Sequence, residues 1–104
     1  MFSATDIASF LACPHTATLG RAESKHEIAR PFRQNAAVDL LRKLGLEHEQ
    51  RYLRGLAEKD GLSITQIDVN GSWENAVAET VRALHEGVDA VYQATFMDGP
   101  WGGR

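Results

Sequence analysis

A single cysteine, Cys13, leaves this chain without a partner for an internal disulfide. A lone thiol suits a reducing compartment, so a cytoplasmic location is expected. No apolar run exceeds a few residues, which excludes a membrane-spanning helix. Met1-Phe2-Ser3 passes straight into polar residues, with neither a basic stretch nor an apolar core, so no secretory leader is expected. Internal repeats and low-complexity tracts are also missing. What is present fits a folded segment: 104 residues, 43% hydrophobic and 24% charged, are enough for one domain with a modest core.

The net charge of −3 conceals an asymmetry. Between Arg21 and Arg54 stand eight basic residues (Arg21, Lys25, Arg30, Arg33, Arg42, Lys43, Arg51, Arg54) against five acidic ones. The rest of the chain holds three basic and nine acidic residues. A local basic excess can follow a phosphate backbone. Charge alone favours the plainer reading, a solvated helix face laced with mixed ion pairs.

Periodicity and capping residues give the elements. Ser3 with Asp6 resembles a capping box, and Ile7, Phe10 and Leu11 follow at helical spacing. That short helix is expected to end at Cys13-Pro14, because proline disfavours helix in the residue before it. From Pro14 to Gln34 the pattern is weak, with at most a helical turn at Leu19 and Ala22. Arg30-Pro31-Phe32 reads as a connector, with Phe32 as a buried anchor.

Asn35 caps the strongest element, a helix over about residues 36–60 closed by Gly61. Its predicted inner face is Ala37, Leu40, Leu41, Leu44, His48, Tyr52 and Leu56. Residues 62–69 read as a strand ending at the Asn70-Gly71 turn. Ser72 caps a further helix with Val77, Val81 and Leu84 as its buried stripe, Thr80 bordering it, and Gly87 as its stop. A final strand is expected over about residues 90–97, then a turn at Asp98-Gly99-Pro100 and the start of a returning strand. The order is α-α-β-α-β with a hairpin at the end, an α/β (α+β) arrangement. A domain seldom stops a few residues into the second arm of a hairpin. The chain is therefore expected to be a front fragment, with an open strand edge around residues 91–97 that favours self-association.

The sharpest chemical suggestion is Gly45-Leu46-Glu47-His48-Glu49 on the long helix. An imidazole on the inner face can coordinate a divalent ion, and flanking carboxylates can orient or supplement it. Gly45 within a helix costs on the order of 1 kcal/mol against alanine, which invites a reason such as a close backbone approach. The plainer alternative is a half-buried histidine bonded to a backbone carbonyl, with Gly45 breaking the helix in two.

Three segments in order resemble a known family. Ser3-Ala4-Thr5-Asp6 followed by Phe10-Leu11-Ala12-Cys13-Pro14-His15 resembles the opening of RecB-like nucleases, which are often fused to helicases. Residues 45–53, Gly-Leu-Glu-His-Glu-Gln-Arg-Tyr-Leu, are similar to that family's first nuclease motif, a glycine and a histidine on one helix. Tyr92-Gln93-Ala94-Thr95-Phe96 and residues 98–104 resemble the approach to its second motif. The family belongs to the PD-(D/E)XK nucleases, built on a restriction-endonuclease-like core of a mixed sheet flanked by helices.

The resemblance implies residues 1–34 as a helical lead-in and residues 35–104 as the start of a nuclease core. It implies a metal-dependent DNA nuclease of DNA repair or processing, with magnesium or manganese held partly by His48 and assisted by Glu47 or Glu49. Arg42, Lys43, Arg51 and Arg54 are then the candidate DNA contacts, and a fused or associated helicase is a candidate partner. The family's aspartate and its acidic-x-lysine pair are expected beyond Arg104, so these 104 residues alone are expected to be inactive. Glu23-Ser24-Lys25 matches that pair only as a string, ahead of the long helix. Some relatives hold an iron–sulfur cluster with one early cysteine, but one thiolate cannot hold a cluster. Cys13, His15 and His26 do not match a structural zinc site. Cys13 is instead expected as a small buried thiol, and Trp73 and Trp101 as packing residues. The reading from a different class is a self-contained small α/β interaction module that contacts DNA or protein.

Overall fold

Ser3 explains where the first helix begins. Its hydroxyl accepts from the Asp6 N–H at 3.4 Å, and the Asp6 carboxylate accepts from the Ser3 N–H and hydroxyl at 2.6 Å each. The capping box expected from that spacing is therefore formed. The computed structural model describes residues 1–104 throughout. In chain order the elements are α1 (Ala4–Ala12), α2 (Pro14–Ser24), α3 (Ala36–Lys59), β1 (Ile64–Gln66), α4 (Trp73–Glu86), β2 (Ala90–Tyr92), β3 (Phe96–Asp98) and β4 (Trp101–Gly103). The class is mixed α/β, with the strands in two small sheets. No helix is long and apolar enough to cross a membrane.

The chain divides into two compact units, Met1–Gln34 with Met97–Gly103, and Asn35–Phe96 with Arg104. In the first unit, α2 replaces the near-patternless stretch expected after Pro14. Pro14 sits at its first turn, where a missing N–H costs nothing. Its end is closed by paired bonds from His26 N–H to Glu23 C=O and from Glu27 N–H to Ala22 C=O, both 2.9 Å. His26 takes the left-handed conformation (φ 59°) that such a closure requires. With Leu19 as its one large apolar residue, α2 carries almost no hydrophobic period, so pattern reading passes over it. Phe32 is 89% exposed and anchors nothing.

A hairpin, β3 and β4, completes this unit. Gly99 has φ 55° and Pro100 follows it, a pairing that suits a II′-type turn and excludes I′, which needs positive φ at both positions. Asp98 thus belongs to the strand and not to the turn. Phe2 lies beside Trp101 as a parallel bridge, donating its N–H to Pro100 C=O at 2.7 Å and accepting from Gly102 N–H at 2.8 Å.

The second unit is built on α3 and a β1-α4-β2 crossover whose strands run parallel, Ile64 opposite Ala90 and Gln66 opposite Tyr92. The caps are those expected: Asn35 on the Ala37 and Val38 N–H groups, Ser72 on Asn75, and Gly87 left-handed after α4. Gly61, at φ 64°, follows α3. β1 is shorter than the 62–69 strand expected.

The expected 90–97 strand is broken. β2 stops at Tyr92, Gln93 turns with φ 60°, and Thr95 is buried with its N–H donating to Thr80 Oγ1 at 2.9 Å. Side-chain capture of that N–H takes it out of any strand ladder. The buried residues of α4 are Ala76, Thr80 and Ala83, spaced i, i+4, i+7, while Val81 and Leu84 are exposed. Small side chains on that stripe let the helix backbone come close to its neighbours. The core of the unit is Leu53, Ile67, Ala76, Ala83 and the two threonines.

Candidate functional site

Helix α3 presents three different sides. The packed side is marked by Leu53, its one buried residue, with Leu56 half-buried three positions later. Glu49, one turn before Leu53, accepts from the Tyr92 hydroxyl at 2.6 Å and so ties α3 to the end of β2. At 100° per residue His48 lies about 140° around the helix from Leu53, and it is exposed. Of the expected inner face only Leu56 is half-buried; Ala37, Leu40, Leu41, Leu44, His48 and Tyr52 are all exposed. Leu41 (68% exposed), Leu44 (51%) and Tyr52 (63%) flank His48 in an uncovered apolar stripe, about 100–180° around the helix from Leu53. The apolar period was read correctly; what covers it was not.

The carboxylates beside His48 go elsewhere. Glu49 is engaged by Tyr92. Glu47 lines a shallow groove with Leu46, Gln50, Arg51 and Arg54. No three His, Cys, Asp or Glu side chains gather as a metal-holding group. The residues present supply one imidazole and no ligand set, so no catalytic step through a metal follows from them. Gly45 sits inside an unbroken helix, and a Cβ built on it would meet nothing within 4 Å. Neither a close backbone approach nor a helix break accounts for it.

Lys43, Arg51 and Arg54 lie within about 80° of one another around α3, on the side of the Glu47 groove, whereas Arg42 lies only about 20° from the direction of Leu53, about three turns earlier along the helix. The chain's one ion pair joins Arg30 to Glu23 at 2.8 Å, far from that side in sequence. The mixed ion pairs expected of a solvated helix face are thus not formed, and four cations stay free of carboxylates.

The remaining candidates separate. Cys13 is exposed, not buried, at the N-terminal cap of α2. The backbone and hydroxyl of Thr16, then the His15 backbone, hold its thiol below the ordinary value. Cys13 and His26 stand at opposite ends of α2, which rules out a shared metal site with His15. Glu23-Ser24-Lys25 lies at the end of that helix, not on a strand. Trp73 is half-buried beneath the Arg104 guanidinium, 4.4 Å above its ring, and its indole N–H is buried without a partner. Trp101 packs on Phe2 with ring centres 5.4 Å apart.

Two connections escaped sequence reading. Arg104 Nε donates to Thr95 Oγ1 at 3.2 Å, which extends the buried Thr80–Thr95 link outward. Asp89 Oδ2 accepts from both Ser63 N–H (2.9 Å) and Ser63 Oγ (3.0 Å), while Ser63 Oγ accepts from Asp89 N–H (3.0 Å). This clamp holds the entries of β1 and β2 in register, and the Ser63 N–H, then its hydroxyl, keeps the Asp89 carboxyl below the usual carboxylate range. A serine and an aspartate each just ahead of a strand were the available signal.

Comparison with known proteins leaves the site to its own geometry. No protein-family model matches the chain, no curated protein matches it, and no solved structure matches it.

Proposed function

We propose that these residues form the front part of a RecB-like, metal-dependent DNA nuclease domain of the restriction-endonuclease-like class. In this reading His48 is one ligand to magnesium or manganese, and the unpaired Arg42, Lys43, Arg51 and Arg54 face the DNA phosphates. The observation that carries it is the uncovered stripe of Leu41, Leu44 and Tyr52 around His48. Contiguous exposed apolar surface of this kind marks a face that another surface covers. In a RecB-like domain, further polypeptide packs on that helix and brings the aspartate and the acidic-x-lysine pair toward the histidine. The same reading places the protein in the cytoplasm, in DNA repair or processing, with a fused or associated helicase as a partner. The 104 residues alone are then without cleavage activity, because one histidine does not replace the carboxylates and lysine.

The unpaired basic side of α3 also supports the second reading, a small interaction module that contacts DNA or protein through that helix alone. The coding sequence beyond Arg104 separates the two. An alanine-aspartate-hydrophobic strand followed by an acidic-x-lysine pair supports the nuclease. A stop codon or unrelated sequence supports the module.

A further inference from the structure

The other unit of the chain holds a cavity that neither reading uses. Between α1, α2 and the Phe2–Trp101 bridge lies a half-open space of about 710 Å³. Its apolar wall is formed by Phe2, Ile7, Phe10, Ala17 and Trp101. The volume falls within the range of small-molecule sites, which join an apolar lining to a few polar groups.

Polarity in this cavity runs one way. Arg21 in the last turn of α2 and Lys25 at its C-terminal cap both line it, and neither lies within ion-pair distance of a carboxylate. The Arg21 guanidinium stands 5.7 Å from the centre of the Phe2 ring. The one acidic lining residue, Asp6, already has its carboxylate committed to the Ser3 N–H and hydroxyl. Two free cations therefore stand beside a wall that is largely aromatic. Phe10 is 56% and Trp101 46% exposed, so ring faces are open to a guest.

We propose that this cavity binds a small organic anion with a flat aromatic body, its ring against Phe2, Phe10 and Trp101 and its carboxylate or phosphate on Arg21 and Lys25. Apolar burial supplies affinity, and the two charge-assisted contacts supply the preference for an anion. The site stands independently of the nuclease reading, because it uses no residue of α3.

The test is a titration of the 104-residue chain followed by amide chemical shifts, using 2-naphthoate, its neutral methyl ester and inorganic phosphate. Expected are saturable shifts at Phe2, Phe10, Arg21 and Trp101 with 2-naphthoate. The ester should bind about tenfold or more weakly, and phosphate alone should leave the aromatic residues unmoved. Arg21→Gln with Lys25→Gln, both at exposed positions, should abolish the preference for the anion, so that acid and ester bind alike. Ala17→Leu, which fills the cavity, should weaken both organic probes. Equal binding of acid and ester to the wild type would overturn the proposal without recourse to any variant. So would shifts centred on α3, or no saturable shift.

Discussion

The Tyr92 hydroxyl donates to the Glu49 carboxylate at 2.6 Å, across 43 positions of sequence. This bond fixes which side of α3 meets the end of β2, and it thereby turns His48 outward. It also removes Glu49 from the pair of carboxylates that could have accompanied the imidazole. Both groups are partly solvated, so the bond should stabilise the unit modestly. Tyr92→Phe should cost about 0.5–1.5 kcal/mol in urea unfolding. A double-mutant cycle with Glu49→Gln should return most of that as coupling; independent effects would mean that the bond does not hold α3.

Thr80 carries a larger share. Its hydroxyl is fully buried, donates to Ala76 C=O at 2.8 Å and accepts from the Thr95 N–H. Thr80→Val keeps the shape but leaves the Thr95 N–H unsatisfied, at a cost of about 1–3 kcal/mol. Thr80→Ser retains the acceptor and loses only a methyl, so it should be the milder change. The reverse order in urea melts would show that the methyl group matters more than the bond.

The Ser63–Asp89 clamp gives a pH dependence with a definite sign. The folded carboxyl lies below its ordinary value, so its stabilisation is present above that value and fades as pH falls toward the folded one. The wild type should therefore melt higher than Asp89→Asn at pH 7, and the difference should shrink as pH falls through and below the ordinary carboxylate range. A difference that is constant across this range would assign the effect to shape and not to charge.

The uncovered stripe of α3 should make the chain self-associate as its concentration rises. Light scattering should show mass growing with concentration, and Leu41→Glu with Leu44→Glu should suppress that growth. Because neither leucine is buried, the melting temperature should move little. Growth that is unaffected by these changes would move the sticky surface to an open strand edge near residues 91–97.

The helix ends were legible because caps are local: Ser3, Asn35, Ser72 and Gly87 each act within a few residues of themselves. Which side of each helix is buried was not legible. On α4 pattern reading picks Val77, Val81 and Leu84, the large apolar residues, of which only Val77 is even half-buried, while close packing selects Ala76, Thr80 and Ala83. On α3 it picks the strongest stripe, but Leu53 and the remote Tyr92 bond decide the packed side. The 90–97 strand failed for a similar reason, since alternation along the chain carries no sign that Thr95 will donate to Thr80. His48 was found as a candidate from its neighbours in sequence, and its exposure depends on contacts made elsewhere.

Metal-dependent DNA cleavage tests the proposed role of His48 most directly. The measurement compares residues 1–104 with the polypeptide extended through the downstream reading frame, each with magnesium or manganese on single- and double-stranded DNA. The account predicts no turnover by the 104 residues, turnover by the extended protein, and a loss of more than about tenfold in its His48→Ala variant. Cleavage by the 104 residues alone that is abolished by a chelator, or an extended protein whose cleavage is unchanged by His48→Ala, would contradict it.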